Sequence, residues 1–135
     1  MNFFGIAVFA LLTTSFLAGE NWPGFRGYGT SSSKATGLPT LWSEDKVAWH
    51  VDLAGYGQSS PVIWDETVFV TSASGDQKER LTVQAFNLKD GIVRWKSEVL
   101  ATQRPEKVSD MISRSAPTPV VDEANVYAFY ESGDL

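Results

Sequence analysis

The chain has 135 residues, a net charge of −5 and a pI near 4.7. That suits one modest domain, and an acidic balance with scattered Lys and Arg argues against nucleic acid as a partner. Aromatic residues make up 13% of the chain, with five Trp and eight Phe, so a core can be filled and general disorder is excluded. The absence of cysteine rules out a disulfide framework, a thiolate metal site and a lipid-attachment cysteine.

Residues 1–18 carry no charge. An apolar run from Phe3 to Leu12 is followed by Thr13, Thr14, Ser15, Phe16, Leu17 and Ala18. The run has the length of a signal-peptide core and falls short of the ~20 residues a membrane span needs. Ala18 and Gly19 offer a cleavage site, so 1–19 reads as a signal peptide and no membrane span is expected after its removal. Two features depart from the pattern: no Lys or Arg precedes the run, and Phe16 is bulky where a small residue is favoured. An uncleaved anchor is the rival reading.

Residues 20–46 are rich in Gly and Ser and read as a lead-in loop pinned by Trp22 and Phe25. Gly27-x-Gly29 is not a phosphate loop. No strand precedes it, no helical pattern follows, and the Lys-Ser/Thr pair is missing. Gly37-Leu38-Pro39-Thr40 marks a further turn. From Val47 to Leu53 the chain alternates, with Val47, Trp49, Val51 and Leu53 on one face, which predicts a half-buried strand. His50, the sole histidine, falls on the polar face without carboxylates at ligand spacing, so it reads as an exposed strand residue and not a metal ligand.

The stretch Ser59–Asp76 recurs 58 positions later as Pro117–Asp134, without a gap. Six positions are identical (Pro61, Val62, Val68, Ser74, Gly75 and Asp76 with their counterparts) and four are close substitutions, including Ile63 with Val121 and Phe69 with Tyr127. A repeat of this kind decides the architecture. Four strands are predicted in the first unit, 59–100. They are Pro61 to Trp64, Val68 to Thr71, Leu81 to Asn87 and Ile92 to Val99. Asp65-Glu66, Ser72 to Asp76 and Asn87 to Gly91 form the turns. No stretch has helical period. Four short antiparallel strands per repeat predict an all-β fold, a β-propeller whose four-stranded blades bury their faces against one another, with about two blades in this chain.

Ala85-Phe86-Asn87-Leu88-Lys89-Asp90-Gly91-Ile92-Val93-Arg94-Trp95 resembles the tryptophan-docking repeat of pyrroloquinoline-quinone-type propellers, Ala-x-Asp-x-x-Thr-Gly-x-x-x-Trp. Ala85, Gly91 and Trp95 match, while Asn87 replaces the Asp and Asp90 the Thr. Both replacements retain the capacity for short side-chain-to-backbone bonds in a turn. The resemblance implies that Trp95 reaches to the next blade and packs flat on a turn, with Ala85 leaving it room. Trp49 holds the matching place in Val47-Ala48-Trp49, so 47–53 is expected as the outer strand of the last blade. The run from Asn21 to Leu135 is similar to exported bacterial propellers, among them the outer-membrane-protein assembly propeller, which implies a periplasmic or secreted location.

Trp49 to Pro61 spans 12 residues and Trp95 to Pro119 spans 24, so about a dozen residues, 101–112, are inserted between an outer strand and the next inner strand. Such an insertion lies on a propeller rim, and loops on rigid scaffolds often bind. Arg104, Lys107, Asp110 and Arg114 are therefore the candidate binding residues, against the simpler reading of a solvated connection. The second unit begins at Ser115, and the chain ends where a third strand is expected, which reads as a fragment of a longer propeller. Isolated, about two blades are expected to be edge-exposed and poorly soluble.

Two functions follow. The first is an exported, non-enzymatic propeller that scaffolds or binds another protein, with no catalytic residues and no cofactor of its own. The alternative is the N-terminal part of a quinoprotein dehydrogenase dependent on pyrroloquinoline quinone and calcium, which the resemblance admits. A hydrolase is disfavoured, because Ser59 and Ser60 lack the Gly-x-Ser-x-Gly setting of a nucleophile and His50 stands apart. The signal-peptide reading predicts that the mature N-terminus lies at or beside Gly19–Glu20. N-terminal sequencing of exported protein checks it, and a product beginning at Met1 overturns it.

Overall fold

The computed structural model describes residues 20–103 and 109–135. The signal peptide expected over 1–19, and with it Arg104 and Lys107 of the candidate loop, lie outside the described residues. One four-stranded antiparallel sheet organises the rest, in the order β1 (Val62–Trp64), β2 (Thr67–Ser74), β3 (Arg80–Asn87), β4 (Val93–Leu100). This is the four-stranded unit that the alternating pattern predicts.

The turns follow from local chemistry. Trp64 pairs with Thr67, and between them Asp65 takes a left-handed conformation (φ 50°) that Asp tolerates better than most residues. At the far hairpin, Lys89 N–H donates to Asn87 Oδ1 (2.8 Å) and Ile92 N–H to Asp90 Oδ1 (3.0 Å). The two residues that depart from the repeat pattern thus make the turn-forming bonds expected of them. Gly91 supplies the positive φ of 71°.

β2 is longer than its sequence suggests. Ser72 to Ser74 looks like the start of a turn but continues the ladder, paired with Thr82, Leu81 and Arg80. A second partner supports this extension on the other side: Tyr56 and Ala73 exchange both backbone bonds at 2.9 Å. The turn begins only at Gly75 (φ 94°).

The sheet has two distinct faces. Phe69, Thr71, Ala73, Leu81, Val83 and Ala85 project from one, by alternation from the paired register. On this side Val62, Phe69, Ala85 and Val121 form one buried cluster, and Ala73, Leu81, Ala101 and Tyr130 form another. Both include residues of the second unit, so the core lies between two successive repeats. The other face carries Val68, Gln84 and Phe86 and is crossed by 47–54. Among the described residues that segment joins no backbone ladder, and so forms no regular strand of its own. It is held instead by Ala54 N–H donating to Gln84 Oε1 (3.2 Å) and Ser72 Oγ–H donating to the Ala54 carbonyl (2.6 Å).

The second unit repeats the first in register. β5 (Val120–Val121) and β6 (Val126–Tyr127) pair as Val120 with Tyr127 and Val121 with Val126. Their counterparts 58 positions earlier pair as Val62 with Phe69 and Ile63 with Val68. The two repeats also bond to each other at equivalent positions, Ser60 N–H to Thr118 Oγ1 at 3.0 Å. The expected second strand is truncated, however: Phe129 lies outside the ladder, and Tyr130 is turned into the core. Its hydroxyl donates to the Thr82 carbonyl (2.9 Å), drawing the chain away from a continued strand.

The lead-in is pinned differently from expectation. Trp22 exchanges backbone bonds with Ile63 (2.8 and 2.9 Å), and the Pro23 carbonyl accepts from Val121 N–H (2.9 Å), so the lead-in ties the inner strands of both units. Phe25 is not a pin, being 65% exposed. The trapped backbone is that of Trp22–Pro23, and the next residues turn outward through Gly27, which lies against the Trp22 ring. A single turn of 3-10 helix, Glu44–Lys46, breaks the otherwise all-β structure.

A Cβ at Gly91 would stand 2.7 Å from the Trp49 ring, on a backbone with φ of 71°. Gly91→Ala is therefore expected to lower stability by roughly 1–3 kcal/mol through strain, with the displaced indole adding to the loss. Urea denaturation followed by Trp fluorescence measures this, and Gly29→Ala, which shares a positive φ (91°) but meets no atom within 4 Å, isolates the part due to the indole.

Candidate functional site

Two surfaces of the blade carry features that its own stability does not require. One is the rim formed where β4 ends and 101–112 runs toward the second unit. The other is the tryptophan-bearing face.

Of the four rim candidates, the structure describes two and separates them. Asp110 is exposed on the segment, as a binding residue requires. Arg114 is not: its side chain is only 2% exposed. It serves as an internal tether, Nη1–H donating to the Gln103 carbonyl at 3.0 Å. It lies just before the second unit, where its carbonyl also accepts from Glu131 N–H (2.8 Å). Among the described residues Nε and Nη2 make no hydrogen bond, and the Glu131 carboxylate stands 3.9 Å from Nε.

Both ends of the rim segment are anchored. At its start Thr102 N–H donates to the Asp134 carboxylate (3.1 Å to Oδ2), which also accepts from Ser132 Oγ–H (2.6 Å). The bonds from Ser132 and then Thr102, with the nearby Arg114 charge, hold the Asp134 carboxyl below its ordinary range. At its end, Gln58 clamps the chain with both ends of its amide. Nε2–H donates to the Met111 carbonyl (3.0 Å) and Oε1 accepts from Ser113 N–H (2.7 Å). Lys78 donates to the Ser109 carbonyl. Behind them Ser113 and Ser115 both donate to the Tyr56 carbonyl, at 2.9 and 3.2 Å. Held in this way, Met111 and Ile112 project to solvent, 83% and 60% exposed. The charge-based expectation for this loop does not include them. The available signal was an apolar pair inside a segment with no strand period.

On the tryptophan-bearing side, Trp49 lies on Gly91 and donates Nε1–H to the Leu88 carbonyl (2.9 Å). Its ring also stacks near Phe86, centroids 6.4 Å apart. Trp49 is thus the residue seen packed on a turn, across the face of the blade that it covers. Trp95 has no turn beneath it among the described residues. It stands 5.8 Å from Phe69, and Ala85 lies between them in the register, opposite each. The small Ala85 side chain lies beneath this aromatic contact, which is within the blade.

His50 is exposed, 3.4 Å from an equally exposed Asp52, a pairing of little energetic weight. Among the described residues no three His, Cys, Asp or Glu come together as a metal site. No helix among them is long and apolar enough to cross a membrane.

A four-stranded antiparallel blade in register with a second unit, and an indole docked on the Gly91 turn, define a propeller of the pyrroloquinoline-quinone type. The chain belongs to the family described as outer membrane protein assembly factor BamB, whose model matches residues 30–135. No curated protein and no solved structure matches it.

Burial raises the Tyr130 phenol from its ordinary 10.0 to about 12. The folded state thus holds this proton more tightly than the unfolded state does. The stabilisation is fully present below pH 10 and is lost as pH rises from 10 toward 12. Phenolate absorbance is expected to show one late-titrating tyrosine, absent in Tyr130→Phe. That variant should lose about 1 kcal/mol at neutral pH with the bond to Thr82, and its stability should fall less between pH 10 and 12.

Proposed function

We propose that this chain is part of an exported, non-enzymatic propeller that binds another protein through the rim segment 101–112. The anchored exposure of Met111 and Ile112 carries this reading. Two apolar side chains in water on residues 109–113, held by Gln58 and Lys78, lose little conformational freedom on binding, and apolar anchors on pre-organised backbone supply much of the affinity of protein interfaces. Asp110 beside them provides a polar border. The family's printed role in outer-membrane-protein assembly supports a protein partner in the bacterial envelope, and the apolar run at 3–12 supports export.

The quinoprotein alternative requires calcium beside the quinone. The described residues bring together no set of three carboxylates or imidazoles for a metal, so no chemical step is drawn through that group.

A benzophenone side chain placed at position 111 should give a discrete protein adduct on irradiation of exporting cells. Ile112→Asp, at an exposed position, should reduce that adduct at least tenfold without changing the melting temperature. Absence of an adduct would refute the rim reading. Oxidation of an alcohol after addition of quinone and Ca²⁺ would replace it with the dehydrogenase.

A further inference from the structure

The segment before the first repeat lies on the edges where the two repeats meet. Of the strands of the two units, β1 and β5 alone adjoin among the described residues, and first strands in contact mark the side on which propeller blades converge toward a central channel. One edge of β1 is paired with β2, and one edge of β5 with β6. The opposite edges are taken by consecutive residues of the lead-in. Trp22 exchanges both backbone bonds with Ile63, and the Pro23 carbonyl accepts from Val121 N–H. Ile63 and Val121 stand 58 positions apart, so the lead-in grips the same position of each repeat. Asn21 Oδ1 extends the grip by accepting from Asp65 N–H (2.7 Å).

These contacts are made by main-chain groups and one side-chain amide, not by core packing. Neither buried cluster contains a residue of the lead-in. The Trp22 ring folds back over Gly27 of its own loop, whose N–H donates to the Gly24 carbonyl (3.0 Å). The Glu20 carboxylate closes the base of that loop, accepting from Ser33 Oγ–H (2.7 Å) and Lys34 N–H (2.9 Å). The segment is thus a folded unit laid on the blades. Lifting it off opens main-chain edges without removing a side chain from either cluster.

We propose that residues 20–27 are a releasable latch, an autoinhibitory contact that keeps an added polypeptide strand off the inner edges of both units. An unpaired strand edge is a template for another chain, and an extended polypeptide recognises such an edge through main-chain bonds. The latch makes those bonds from within the chain. A strand entering at Ile63 and Val121 must first displace Trp22 and Pro23. No rim residue takes part, so the latch is tested apart from the function proposed above.

The test uses two variants of the whole chain. Trp22→Pro removes the N–H that donates to the Ile63 carbonyl. Gly27→Val drives a side chain into the Trp22 ring, which a Cβ alone approaches to 2.9 Å, and leaves every blade residue unchanged. In both, amide exchange at Ile63 and Val121 should quicken at least tenfold, while the β2–β3 ladder keeps its protection. A synthetic peptide with the sequence Glu20–Gly27 should bind both variants and restore protection at these two amides. It should bind the unaltered chain at least tenfold more weakly. The proposal is overturned if exchange at Ile63 and Val121 does not change, if the β2–β3 ladder opens together with them, or if the unaltered chain takes the peptide equally well.

Discussion

A sheet with two apolar faces cannot stand alone in water, and that constraint governs this molecule. β2 and β3 direct Phe69, Ala73, Leu81 and Ala85 to one side and Val68 and Phe86 to the other. Burying a side chain of this size is worth roughly 1.5–3 kcal/mol, so both faces must be covered by something that does not itself add to the ladder. One cover is 47–54, anchored by the Trp49 indole. The other is the second repeat, anchored by Val121 and Tyr130. Each cover ends in a polar bond to the blade's backbone, Trp49 to Leu88 and Tyr130 to Thr82. Those bonds fix the position of each cover while satisfying carbonyls that burial would otherwise strand.

Rim and blade are coupled through the same covers. Asp134 belongs to the second repeat and Arg114 lies just before it, yet they tether the first residues of the rim segment. Gln58, in the connection before β1, clamps its last ones. Residues 101–103 and 109–112 therefore draw their positions from the packing of successive repeats.

Much of the fold was legible in the residue order because strand period, hairpin turns and a gapless repeat are local signals. The 58-residue offset reappears in space as identical pairing, Val120 with Tyr127 as Val62 with Phe69. The exposed rim was less legible. Charge on a loop drew attention to Arg114, but whether a guanidinium faces solvent or the interior depends on what folds over it. Phe25 and Trp22 look alike in a Gly-rich lead-in, and only the backbone exchange with Ile63 distinguishes the held residue from the exposed one.

The amino-acid order by itself determined the four-stranded unit, its duplication, and the Asn87–Gly91 turn with its special need for glycine. Each of these rests on bonds or sterics among residues within a few positions of one another. Tertiary structure alone decided three further matters. It placed Trp49, and not Trp95, on that turn. It buried Arg114, and it left Met111 and Ile112 in water. The physical reason is common to all three: each outcome depends on which surface a distant segment covers, and burial is a property of the assembled faces that no local stretch carries.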